Sequence, residues 1–254
     1  IFYLSSHKNH FNNSLKDYNI PLNEFKTDII YFGFRLWHLF CSKKKMLNKN
    51  SIENFDLIID LQSKLRNTLI LKQIPTKQFY SPTFNFKFSS KNKNFISTKF
   101  NNFNILSNLE KLLDTEIPLI KYNITSIERK FFDEANRLLP KNNYVGFSVT
   151  QGNEYRKKTW SINKFISVAK KIKDLNKQPV FFIEKQYSQL INKIKMEVRD
   201  VIFPEIDSHL SGPPLVTALS SKLEKAITID NGVMHMMGLA NIPMIILFGP
   251  TNSK

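Results

Sequence analysis

The sequence predicts an α/β protein whose parallel sheets are covered on both faces, arranged as two domains. Three observations carry this. Strand-length apolar runs alternate with helix-period segments through the second half of the chain. Those runs are apolar throughout rather than at every second position, the mark of strands buried on both sides. The 254 residues allow one to two domains, with room for a sizeable core.

In chain order, residues 1–4 and 29–32 read as strands, and 55–61 (Phe-Asp-Leu-Ile-Ile-Asp-Leu) does so strongly. Asp56 and Asp60 flank that strand and read as edge or capping residues. Residues 34–47 predict an aromatic-rich amphipathic helix packing on the first sheet. The stretch 81–104, dense in Phe, Asn, Lys and Ser without a period, predicts loop. A helix over 106–113 leads to a domain crossing at 117–119, and a further helix spans 126–139. Residues 144–149 (Tyr-Val-Gly-Phe-Ser-Val) predict a buried strand that opens into the polar loop 150–158. Ser161 is placed to cap a helix with Ile162, Phe165, Ala169, Ile172 and Leu175 on one face, and Pro179 is expected to stop it. A strand over 180–183, a helix over 186–198 and a short strand over 201–203 follow. Then come a helix over 214–225 with Pro in its first turn, a strand over 226–230, a short helix over 233–240 and a final strand over 243–248. The expected division is an N-terminal domain 1–120, a linker helix within 121–141 and a C-terminal domain 142–254.

Composition narrows the class. Apolar residues at 42% and charged residues at 23% exclude wholesale disorder. Mean hydropathy is −0.28, and the cleanest apolar run, 243–248, is too short to span a bilayer. The chain opens without a basic, cleavable leader and without Met, so we expect a fragment that begins inside a fold. One cysteine, Cys41, excludes an intramolecular disulfide and fits a reducing, cytoplasmic setting. Lys and Arg number 37 against 21 Asp and Glu, a net +16 that favours anionic partners. An AT-biased genome produces the same excess, and no recognition motif accompanies it, so nucleic acid is not an expected partner. His7 and His10 read as surface histidines, since no carboxylate or cysteine completes a metal site. Trp37 and Phe40, followed by Lys43, Lys44 and Lys45, also suit an anionic membrane surface.

Two segments bear chemistry. The strand at 226–230 delivers Asp230 to the carboxyl edge of its sheet, where open α/β sheets take ligands. Asn231-Gly232 is a turn tolerant of positive φ. The helix that follows offers unpaired N–H groups and a positive dipole to a phosphate, with His235 on its first turn as a further donor. By spacing alone, the same residues also read as an ordinary strand-to-helix turn with a half-buried histidine. The loop from Thr150 and Gln151 through Arg156, Lys157 and Lys158 to Trp160 leaves a strand at the same edge. Lys158 is placed to neutralise a diphosphate, with Trp160 packed beneath; the alternative is a solvated basic loop with Trp160 as a hydrophobic staple.

The stretch Asp230-Asn-Gly-Val-Met-His235, with Gly238-Leu-Ala-Asn-Ile-Pro243 and Leu247-Phe-Gly-Pro-Thr251, resembles the donor-site signature of the family 9 glycosyltransferases, the heptosyltransferases. Lys158-Thr-Trp160 is similar to the family's Lys-x-Trp, and Phe55 to Gln62 resembles its N-domain strand. The resemblance implies a GT-B fold, two Rossmann-like domains facing a cleft. It implies inverting, metal-independent transfer of a heptose from ADP-heptose to the anionic lipopolysaccharide inner core, with no cofactor. The enzyme would be cytoplasmic, with peripheral contact on the inner face of the inner membrane. Carried over by position, Thr150, Gln151, Lys158, Asp230, Asn231, Gly232 and His235 line the donor pocket, and Glu184 is a candidate for the ribose. Asn231 stands where Ser or Thr is usual. The family's catalytic Asp would precede Ile1, so no catalytic residue is assigned here, and residues 1–254 alone are expected to bind nucleotide weakly or not at all and to turn over nothing. Alternatives are a GT-B transferase with another nucleotide sugar or a catalytically silent nucleotide-binding homologue.

Overall fold

The computed structural model describes residues 2–4, 15–20, 23–24, 36–40, 54–62, 64–90, 104–118, 122–151 and 160–249. The expected strand at 29–32, Cys41, His7, His10 and most of the loop 150–158 lie outside the described residues.

The chain divides into two compact units, residues 1–9 with 21–121, and residues 10–20 with 122–254. The helix expected as a linker thus belongs to the second unit, as does the short segment 10–20.

In the first unit β1 (Phe2–Tyr3) pairs in parallel with β2 (Asn23–Glu24), and β3 (Phe55–Ile59) pairs in parallel with β4 (Thr76–Tyr80). Helix α1 (Leu65–Leu71) makes the crossover from β3 to β4. Ile70 and Ile74 form its core with Leu4, Leu39, Phe55, Ile58 and Leu71 packed around them. The sequence reading lacks α1 and β4, because Thr-Lys-Gln-Phe-Tyr carries too few apolar residues to stand out. The described part of 34–47 is a single 3-10 stretch, Leu36–Phe40. Within it His38 is buried and Leu39 packs on the core, while Leu36, Trp37 and Phe40 are exposed; residues 34–35 and 41–47 lie outside the described residues. Asp60 caps no helix, since α1 starts after Lys64 without a side-chain cap; it is buried after β3, with Oδ1 accepting from the Gln62 amide at 2.9 Å. Asp56 instead sits at the exposed edge and pairs with Lys77 at 2.7 Å. Helix α2 (Ile105–Leu113) is capped by Asn104, whose side chain accepts from the Ser107 amide.

The second unit holds a four-stranded parallel sheet of order β6-β5-β7-β8, formed by β5 (Tyr144–Ser148), β6 (Gln178–Phe182), β7 (Leu223–Ile229) and β8 (Met244–Leu247). Ile202 bridges to Val180 beyond β6. Both faces are covered, which is why its strands are apolar along most of their length. On one face Tyr144, Val180, Phe182 and Ala226 pack against α3 (Arg129–Leu138), α7 (Pro213–Ser220) and α8 (Gly232–Leu239). On the other, Val145, Phe147, Phe181 and Ile229 pack against α4 (Ile162–Asp174) and α5 (Ser188–Glu197). Tyr18 enters the first of these cores at 2% exposure and shares a 2.7 Å hydrogen bond with Thr217.

Several local features differ from the expected ones. Helix α4 ends at Asp174, well before Pro179; Asn176 turns the chain after it at φ 57°, and Pro179 sits inside β6. Helix α7 stops at Ser220, and Leu223 to Lys225 already belong to β7. Ser161 starts α4 without a side-chain cap; its carbonyl accepts from Lys164 at 2.9 Å.

Candidate active site

In a parallel sheet every strand ends on the same edge, so the residues just past β5, β6 and β7 form one row. That edge carries Thr150 and Gln151 after β5, Glu184 after β6, and Asp230, Asn231 and Gly232 after β7. Six of the expected donor-site residues therefore share one rim, and His235 stands exposed on the first turn of α8 above it. Lys158 lies outside the described residues.

Asn231 organises this rim. Its side-chain oxygen accepts from the Met234 amide at 3.0 Å, capping α8. Its side-chain amide donates to Ser148 Oγ at 2.7 Å and to the Thr150 carbonyl at 2.9 Å. A serine or threonine would cap the helix equally well but has no second arm, so asparagine here ties the end of β5 to the start of α8. Ser148 is fully buried, and nothing in its spacing marked it for this role.

The expected positive-φ turn does not form. Asn231 is extended at φ −146°, and Gly212 is the described glycine with positive φ. Gly232 is explained differently: a Cβ built there meets no atom within 4 Å. The fold itself leaves that position open, and the room over the first amides of α8 suits an incoming group. Gly146 in β5 is the contrast, since a Cβ there would lie 2.6 Å from Leu223 Cδ1.

At the other end of the row, the Tyr187 hydroxyl donates to the Gln151 carbonyl at 3.4 Å, linking the loops after β5 and β6. Glu184 is exposed and accepts from Gln186 at 2.6 Å. Glu205, on the short helix α6 (Pro204–Asp207), was not singled out from the sequence. Burial, and then the neighbouring Glu184 carboxylate, push its carboxyl up to about 7. The same rule that placed the other strand ends at the rim would have found it after 201–203. Trp160 settles as the staple: its ring meets Phe165 edge-on at 5.1 Å, with Lys164 Nζ 5.5 Å from its centroid. Among the described residues no group of three His, Cys, Asp or Glu is placed to hold a metal ion, and no helix is long and apolar enough to cross a membrane.

Parallel sheets layered with helices, with a capped helix start at the strand ends, define the class: a parallel α/β protein whose fold matches GT-B-like heptosyltransferase structures. The model of glycosyltransferase family 9 (heptosyltransferase) matches residues 44–254, and the chain belongs to that family. Among solved structures, the glycosyl transferase family 9 protein from Veillonella parvula DSM 2008 is similar at TM-score 0.64 and 17% identity, over 99% of this chain and 73% of that one. The E. coli heptosyltransferase WaaC with ADP is similar at TM-score 0.58 and 12% identity, over 99% of this chain and 78% of that one. Its complex with ADP-2-deoxy-2-fluoro heptose gives TM-score 0.58 and 12% identity, over 100% of this chain and 90% of that one. No curated protein matches the chain by sequence.

Proposed function

We propose that this protein is an inverting heptosyltransferase that moves a heptose from ADP-heptose to the lipopolysaccharide inner core without a metal ion. Family membership supports glycosyl transfer from a nucleotide sugar to a sugar acceptor. The observation that carries the donor assignment is the open start of α8, where Asn231 caps the helix and nothing fills the space over Gly232. In this reading the diphosphate lies over the amides of α8, whose positive end stabilises the departing ADP. Lys158 supplies the matching cation, and His235 and Asp230 hold the sugar end. Thr150 and Gln151 line the same pocket, while Glu184 takes the ribose. Work near the cytoplasmic face of a membrane suits a lipid-linked acceptor, and the +16 charge favours an anionic surface.

The test is titration of the intact protein with ADP, UDP and a short DNA duplex. ADP should bind best, with Asp230→Ala and Lys158→Ala each weakening it about tenfold, or about 1.4 kcal/mol. Preference for the duplex with a steep salt slope would overturn the assignment.

A further inference from the structure

The first unit has a strand-end rim of its own, and the segment after β4 is built there in an unusual way. Phe84, Asn85 and Phe86 are successive non-glycine residues in the left-handed region, at φ 49°, 52° and 63°. L-residues enter this region singly and at a cost in free energy, and bulky ones do so rarely. The surroundings hold the turn in place. Ser89 Oγ donates to the Ser81 carbonyl at 3.0 Å and accepts from the Ser81 amide at 3.0 Å, clasping the turn at both ends. Beneath it the buried Asp60 carboxylate accepts from Thr68 Oγ1 at 2.6 Å and Ser81 Oγ at 2.9 Å, and Thr83 shares a 2.7 Å hydrogen bond with Thr68.

The two phenylalanines of this turn have different fates. Phe86 is 3% exposed, 5.7 Å from the Tyr80 ring, and fills the core with Leu109 and Leu112. Phe84 gains no such burial: it is 60% exposed, with Phe88 6.0 Å away at its side. Asn85 is exposed beside it, and its side chain makes no hydrogen bond among the described residues. Backbone strain held by a buried network, with an aromatic ring and a free amide presented at the carboxyl ends of parallel strands, is how a ligand platform is built. Its chemistry matches a pyranose, whose C–H face lies on an aromatic ring while its hydroxyls meet an amide.

We infer that the turn Phe84–Asn85–Phe86 is a saccharide platform on the first unit, taking a pyranose of the acceptor on the Phe84 ring and its hydroxyls on Asn85. This rests on the transferase reading above, and it gives a sugar of the acceptor two named contacts, Phe84 and Asn85. The buried Asp60 acts as a positioning residue through Ser81 and Thr68.

The intact protein is titrated separately with ADP and with a deacylated inner-core oligosaccharide, and its melting temperature is recorded. Phe84→Ala and Phe84→Leu should weaken oligosaccharide binding about tenfold, while Phe84→Tyr keeps it within about twofold. Asn85→Gly should raise the melting temperature by relieving strain, yet lower oligosaccharide affinity, a pair of effects that a merely structural turn does not produce. ADP affinity stays constant throughout. The platform is overturned if oligosaccharide affinity ignores Phe84→Ala, if Phe84→Leu binds as well as Phe84→Tyr, or if ADP affinity falls with either. An intact protein that binds no ADP at all would instead bring down the transferase reading.

Discussion

Asn231 and Gly232 stand side by side and do different work. Asn231 answers to the fold: it satisfies the Met234 amide, Ser148 and the Thr150 carbonyl. Asn231→Ala should therefore cost about 2 kcal/mol, from the lost cap and two half-buried donors, and Asn231→Ser about 1 kcal/mol because the cap survives. Gly232 answers to no contact in the protein, since a Cβ there finds open space. Gly232→Ala should leave chemical denaturation unchanged within about 0.5 kcal/mol while ADP binding weakens. Gly146→Ala should behave the opposite way, losing about 1–3 kcal/mol as the new methyl meets Leu223. A Gly232→Ala protein that binds ADP normally would show that the space over α8 is not used.

Between elements, a polar tie in the second unit runs from α3 to the segment that follows α6. The Glu134 carboxylate accepts from Arg137 at 2.7 and 2.8 Å, from Ser208 Oγ at 2.8 Å and from the His209 amide at 3.0 Å. The Arg137 hydrogen bonds, reinforced by Ser208 and His209 against the cost of desolvation, hold this carboxyl down at about 2 from an ordinary 4.5. A depressed carboxyl contributes stability that is complete above its unfolded value and is lost as pH falls toward the folded one. Wild type should thus lose this contribution between about pH 4.5 and about pH 2, and the slope of melting temperature across that window should be shallower in Glu134→Gln. Equal slopes in both proteins would show that the tie adds nothing.

For the whole molecule, charge is the feature the fold does not absorb. Apart from Arg137 with Glu134, described ion pairs such as Lys170 with Glu197 and Arg129 with Asp133 sit at the surface and contribute little each. A net +16 repels itself in the folded chain more than in the expanded one. Raising NaCl from about 0.05 to about 0.5 M, which cuts the screening length to about 4–5 Å, should raise the melting temperature by a few degrees. A fall in melting temperature would mean that the attractive pairs outweigh the repulsion.

The second unit's β5 to β8 and their helices were legible from residues alone, because strands buried on two faces are apolar along most of their length. The rim residues at 150, 151 and 230–232 were legible for a related reason, that a parallel sheet puts every strand end on one edge, whereas Glu184 was reached only through the family resemblance. The sequence by itself therefore determined the layered α/β plan and which residues meet at that edge. Only the tertiary structure decided that Asn231 bridges to Ser148, that Gly232 faces open space and that Tyr18 belongs to the second unit's core. It alone showed a left-handed turn beneath an exposed Phe84. Those outcomes depend on partners 83 and 199 residues away and on backbone angles, and local periodicity carries no information about either.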